Sequence, residues 1–214
     1  MNIFTNSRLL ILIALSLFIT VRHAAAQQNP DLAPLGFAFG ISDDDAEDII
    51  ETNGKRIMEN NVDSKKIRTI VIQGMIVTLP LDLEGKDVST GLEFYDGKLL
   101  SSSLNLNTKD SFEESQMRDE FMKYLTGKYG EPSSSDSMLS FKTWTWNMPD
   151  VKLVFHTNEK KYDMKVVYTY EPVDQAKHEK ELDKLRGTEE SNPAEDMFIN
   201  GDYSKPKYYD ETGH

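Results

Sequence analysis

Apolar residues change their spacing several times along this chain, and each change marks an element. Ala46, Ile49 and Ile50 recur at helical spacing behind Ser42, whose hydroxyl is placed to cap a helix start with Asp45 three residues on, and Gly54 ends the run. Ahead of it, Gly36 to Ile41 is apolar and glycine-bearing, which suits packing at a sheet edge. From Ile67 to Leu79 β-branched residues dominate until Pro80 stops them, and Gly74 predicts a bend or bulge within one long strand. Ser111 and Glu114 form a second capping pair before Phe112, Met117, Phe121, Met122 and Leu125, an amphipathic helix that closes on Gly130 with Pro132 beyond. Three more strands are predicted near Leu139 to Asn147, Val151 to Thr157 and Tyr162 to Glu171, divided by turns at Met148 to Asp150 and Asn158 to Lys161. They read as a meander. A charged helix from about Asp174 to Arg186 has Leu182 and Leu185, with Ala176 or His178, as its only apolar side, so it docks lightly.

Between Thr90 and Leu106, Asp96-Gly97 predicts a β-hairpin. A two-residue turn would pair Phe94 with Leu99 but leave Leu92 facing Ser101. A three-residue loop, Tyr95-Asp96-Gly97 with Gly97 left-handed, would pair Leu92 with Leu100 and Val88 with Leu104, gathering the apolar residues on one face. The second register is preferred on that ground.

Each half thus runs from a capped, glycine-terminated helix into strands, over residues 36–107 and 108–173. Two organisations fit: a pair of tandem α-β-β-β units, or one continuous antiparallel sheet. The fold class is α+β, an antiparallel sheet with helices packed on one face. The domain spans 27–186 and includes the C-terminal helix at 174–186; an acidic disordered tail at 187–214 follows, where aliphatics thin out.

The chain starts differently. Arg8, an apolar run from Leu9 to Val21 and the small residues Ala24 to Ala26 predict a cleavable signal peptide over 1–26, with Gln27 as the mature N-terminus and a periplasmic or secreted destination. The run is shorter than the ~20 apolar residues that span a bilayer. Losing Arg8 and Arg22, with no acid, takes the formal net charge from −12 to −14, so nucleic acid and anionic lipid are poor partners. With no cysteine, neither disulfides nor lipoprotein processing is available, and stability must come from a packed core.

Leu35-Gly36-Phe37 through Phe39-Gly40-Ile41-Ser42, the Tyr95-Asp96-Gly97-Lys98-Leu99 hairpin, and Lys128-Tyr129-Gly130-Glu131-Pro132 before a Trp-bearing strand resemble a broad group of small exported bacterial proteins of unknown function. The layout is also similar to the helix-plus-antiparallel-sheet domains of the BamE and β-lactamase-inhibitor-protein type. That resemblance implies action by binding another protein, and it carries over no functional residue.

No catalytic constellation is legible: there is no cysteine nucleophile, no G-x-S-x-G elbow and no glycine-rich phosphate loop after a strand. His156 and His178 stand apart and read as surface histidines, and no zinc-type spacing occurs, so no metal and no cofactor is assigned. The acidic run Asp43 to Asp48 invites calcium, but in a first helical turn successive carboxylates diverge by ~100°, and negative charge suits a helix start in any case. The remaining candidate is aromatic. Trp144 and Trp146 share one strand face, and Tyr162, Tyr168 and Tyr170 share another; this is either a stripe that grips a peptide or sugar, or the inner face beneath the second helix. Tyr203, Tyr208 and Tyr209 add a tail segment suited to docking. The expectation is a non-catalytic, exported binding or accessory module whose partner is another envelope protein. A small-ligand or glycan binder using the aromatic sheet face is the alternative, and a hydrolase ranks last.

Overall fold

The computed structural model describes residues 33–189; the predicted signal peptide, mature N-terminus and tail tyrosines lie outside them. A short 3-10 turn at Pro34–Gly36 leads into α1 (Asp43–Thr52), then β1 (Ile57–Val62), β2 (Ile67–Gln73), β3 (Asp87–Tyr95) and β4 (Lys98–Asn107). The second half repeats the order with α2 (Ser111–Tyr129), β5 (Ser134–Met138), β6 (Phe141–Asn147), β7 (Val151–Asn158) and β8 (Asp163–Tyr170), and α3 (Glu171–Glu189) closes the chain. All the strands join one antiparallel sheet in the order β1-β2-β3-β4-β8-β7-β6-β5. That order reads as a palindrome about the β4–β8 ladder. The tandem repeat and the continuous sheet, posed as alternatives, are therefore the same object.

Each unit has one more strand than predicted. β1 and β5 are the two edges, and every one of their residues is exposed, so they carry no apolar alternation to read. The long strand predicted from Ile67 to Leu79 stops at Gln73. Gly74 turns left-handed at φ 75° and sends Met75 to Leu83 over the sheet as a loop whose apolar side chains pack on the core.

The hairpin register also differs from expectation. The turn is the two-residue Asp96-Gly97, left-handed at both positions (φ 53° and 71°), with Tyr95 opposite Lys98 and Phe94 opposite Leu99. A bulge at Leu100 then shifts the ladder, so Leu92 meets Ser102, Thr90 meets Leu104 and Val88 meets Leu106. The apolar face is recovered by the extra residue in the strand, not by a longer loop.

Both α1 and α2 pack on one face of the sheet. Ala46 and Ile50 of α1 cover Ile70, Ile72, Leu92, Phe94 and Leu99, while Met117, Phe121 and Leu125 of α2 cover Leu104, Leu106, Leu153, Phe155 and Val166. Phe39 touches both clusters and stitches the halves together. The acidic run is spent on local structure: Ser42 Oγ accepts from the Asp45 N–H at 3.1 Å, and Arg68 on β2 donates to Asp43 and Glu47, each at 2.6 Å, fastening α1 to the sheet. The guanidinium holds the Asp43 carboxyl below its ordinary pKa. The cap of α2 is Asp110, one residue before the predicted Ser111; it accepts from Phe112 and Glu113, while Glu113 reaches back to the Lys109 N–H at 2.8 Å. Glu114, expected in that capping role, is instead buried, and Phe112 is 80% exposed.

Gly36 is fixed by its surroundings. At φ 87°, a Cβ would sit 2.7 Å from Ile76 Cδ1 and 2.8 Å from Val77 Cγ1. Gly36→Ala is expected to destabilise by about 2–3 kcal/mol, from left-handed strain and overpacking together, and urea unfolding measures it.

Candidate functional site

The registers fix which side chains share the second face of the sheet, the one away from α1 and α2. Across its middle runs the row Val71–Gly91–Ser103–Val167–Val154–Thr145, one residue from each of β2, β3, β4, β8, β7 and β6. These side chains are small and half-buried or buried, and three of them are valines. A polar row flanks them on each side. One is Thr69–Glu93–Ser101–Thr169–Lys152–Asn147, and the other is Gln73–Ser89–Asn105–Lys165–His156–Thr143. Neither hydrophobic cluster includes a residue of this face. It therefore presents a strip of small residues, three of them valines, within a polar border, an arrangement like that of an interface core and rim.

Gly91 and Ser103 are the smallest residues of the strip. A Cβ on Gly91 would meet Ser103 Oγ at 2.8 Å, so no larger residue fits there without a shift of the Ser103 side chain. Charge divides across the face: Glu93 lies on the β3 side and Lys152 and Lys165 on the β7–β8 side. His156 reaches solvent, yet neighbouring strands crowd it; this partial burial first, and then the Lys165 charge, lower its pKa, so it is neutral at pH 7. Thr143 Oγ1 lies 3.0 Å from its Nδ1.

The aromatic candidates lie elsewhere. Trp146 is 2% exposed under α2, its Nε1–H donating to the Gly130 carbonyl at 2.8 Å. Trp144 is half-buried and stacks on Phe155 with centroids 5.4 Å apart. Tyr168 is buried and meets Tyr129 edge-on at 6.2 Å. Tyr162 is not in a strand: it sits in the β7–β8 turn at φ 56°, its carbonyl accepting from the Thr108 N–H and Oγ1, both at 2.8 Å. Tyr170 ends β8 and stacks on Phe39 at 5.3 Å. The fold thus gathers Trp144, Trp146, Tyr168 and Tyr170 on its helix-covered side.

A second concentration of charge lies at the other end of α2. Glu114, 2% exposed, pairs with Arg118 at 3.2 Å; Arg118 also reaches Glu159 at 3.4 Å, and Lys142 meets Glu159 at 2.6 Å. Burial pushes the Glu114 carboxyl above its usual pKa, and Arg118 partly offsets this. The network ties α2 to β6 and the β7–β8 turn. Among the described residues no group of His, Asp or Glu is placed to hold a metal ion, and no helix is long and apolar enough to cross a membrane.

Of the open-face residues the sequence marks His156, which alternates away from Val151, Leu153 and Phe155; the same signal extends to the others, since covered and open positions alternate from Val151 to Thr157 and from Asp163 to Thr169. No protein-family model matches the chain, and no curated protein or solved structure is significantly similar to it.

Proposed function

We propose that this is a non-catalytic binding module, exported to the periplasm or secreted, that holds a partner protein of the cell envelope against the open face of its sheet. The observation that carries the reading is the Val71–Gly91–Ser103–Val167–Val154–Thr145 strip, built of small residues, three of them valines, and bordered by polar rows. A partner surface gains buried apolar area at the strip and register from the rim charges Glu93, Lys152 and Lys165. The resemblance in layout to domains of the BamE and β-lactamase-inhibitor-protein type points the same way. The aromatic residues support a sugar-stacking role less well, since Trp146 and Tyr168 are packed in the core.

A cross-linked pull-down from an envelope extract of the source organism tests this. The unaltered bait is expected to retain a stoichiometric partner. Val167→Glu and Thr145→Glu place a charge in the strip; each is expected to lose that partner while costing about 1–2 kcal/mol of stability, with the fold retained by circular dichroism. Lys123→Glu, on the exposed side of α2, retains it. Equal retention by all the baits, or none by the unaltered protein, removes the open face as the binding surface.

A further inference from the structure

A cleft of about 410 Å³ lies between α3 and the β3–β4 turn, away from the open face's central strip. Its walls are aromatic. Phe39 and Tyr170 are stacked within 8° of parallel, and Tyr95 lines the cleft as well, with Lys180 Nζ 5.6 Å from its ring centroid. Val173 and Ala176 of α3 complete the apolar lining.

The charge in this cleft runs against that of the chain. Lys98 and Lys180 line it with one carboxylate, Asp96, which Lys180 already pairs at 2.8 Å. That pair neutralises itself and leaves the Lys98 ammonium as the net charge, positive in a protein whose formal net charge is −12. Because Asp96 occupies Lys180, the cleft's spare electrostatic attraction is for one negative group, close to a set of rings that accept a flat apolar body. The volume falls within the ~300–1,000 Å³ usual for small-molecule sites.

We propose that this cleft is a binding site for a small planar aromatic anion, an aromatic carboxylate or sulfonate, with its ring against Phe39, Tyr95 and Tyr170 and its charge at Lys98. The site is separate from the open-face reading and does not depend on it. Lys98 supplies the anion preference; the Lys180–Asp96 pair spans from α3 to the β3–β4 turn at the cleft's rim.

The test uses the full chain and two dyes of similar shape, anionic 8-anilinonaphthalene-1-sulfonate and neutral N-phenyl-1-naphthylamine. The sulfonate is expected to bind saturably, one per chain, and to shift the backbone amide resonances of Gly40, Tyr95 and Val173. The neutral dye is expected to bind roughly tenfold more weakly or not at all, and the exposed charge reversal Lys98→Glu to weaken the sulfonate by roughly five- to tenfold with an unchanged melting temperature. Ala176→Trp, which fills the cleft from an exposed position on α3, is expected to abolish binding. Three results would overturn the proposal: equal affinity for the neutral dye, sulfonate binding that survives both substitutions, or resonance shifts confined to the Val71–Gly91–Ser103–Val167–Val154–Thr145 strip instead.

Discussion

Trp146→Ala is expected to remove about 3–5 kcal/mol of stability, the largest loss from any single substitution considered, measured by urea unfolding followed through Trp144 fluorescence. Two effects add. The indole is 2% exposed beneath α2, and its removal opens a cavity bounded by Leu153 and Val151 that a close-packed sheet cannot collapse to fill. Its Nε1–H also satisfies the carbonyl of Gly130, the residue that caps α2 at φ 82°. Trp146→Phe separates the terms: most of the packing is kept, the hydrogen bond is lost, and a cost of about 1–2 kcal/mol is expected. Against total stabilities of about 5–15 kcal/mol the alanine variant's loss is a large fraction, and its unfolding midpoint should fall to a markedly lower urea concentration. A loss no larger than that of Trp146→Phe would mean that α2 is held mainly by Phe121 and Leu125.

Arg118→Leu is expected to cost about 3 kcal/mol at pH 7 and less in acid. Glu114 is nearly inaccessible, and Arg118 is its ion-pair partner at 3.2 Å; removing the guanidinium leaves a buried carboxylate that keeps only the Lys142 charge in its favour. The pH dependence has a definite sign. Burial already raises the folded-state pKa of Glu114 above its unfolded value, and the loss of Arg118 raises it further. A raised carboxyl favours the folded state while protonated, so its contribution is fully present below the unfolded pKa and is lost as pH rises through the folded one. The variant should therefore lose stability steeply as the solution is taken from acid towards neutral pH, where the parent declines less. Adding Glu114→Gln to Arg118→Leu removes the buried charge and is expected to flatten that dependence and recover most of the loss. If the double variant stays as unstable as the single one, Arg118 acts through Glu159 or Ser115 instead.

Much of the fold was legible because its signals are local. Ser42 with Asp45, the glycines at 54 and 130, and the spacing of Met117, Phe121 and Leu125 need only neighbours along one helix to be understood. Alternation on β7 and β8 likewise declares a covered face. Where the sequence misled, two local solutions lay close in energy. Ser111 and Asp110 are both good caps, and Asp110 prevails because its carboxylate takes two N–H groups at once. The hairpin could gather its leucines by a longer loop or by a bulge, and the left-handed Asp96-Gly97 turn with a bulge at Leu100 is what the fold adopts.

The sequence by itself determined the α+β class, the repeated order of helix and strands, and the burial of the Trp and Tyr stripe or its exposure as the two options open for it. Tertiary structure decided between those options, because only the docking of α2 onto β6, β7 and β8 places Trp146 and Tyr168 inside. It also decided that β1 and β5 are strands at all. Their exposed residues gain ladder hydrogen bonds only once β2 and β6 are already in place, and they show no alternation of covered and open positions that would announce a strand. The open strip and the Phe39–Tyr170 cleft belong to the same class of fact. Residues from six strands line up across the strip, and rings far apart in sequence stack, because backbone pairing sets position at long range while side-chain pattern speaks only for its own element.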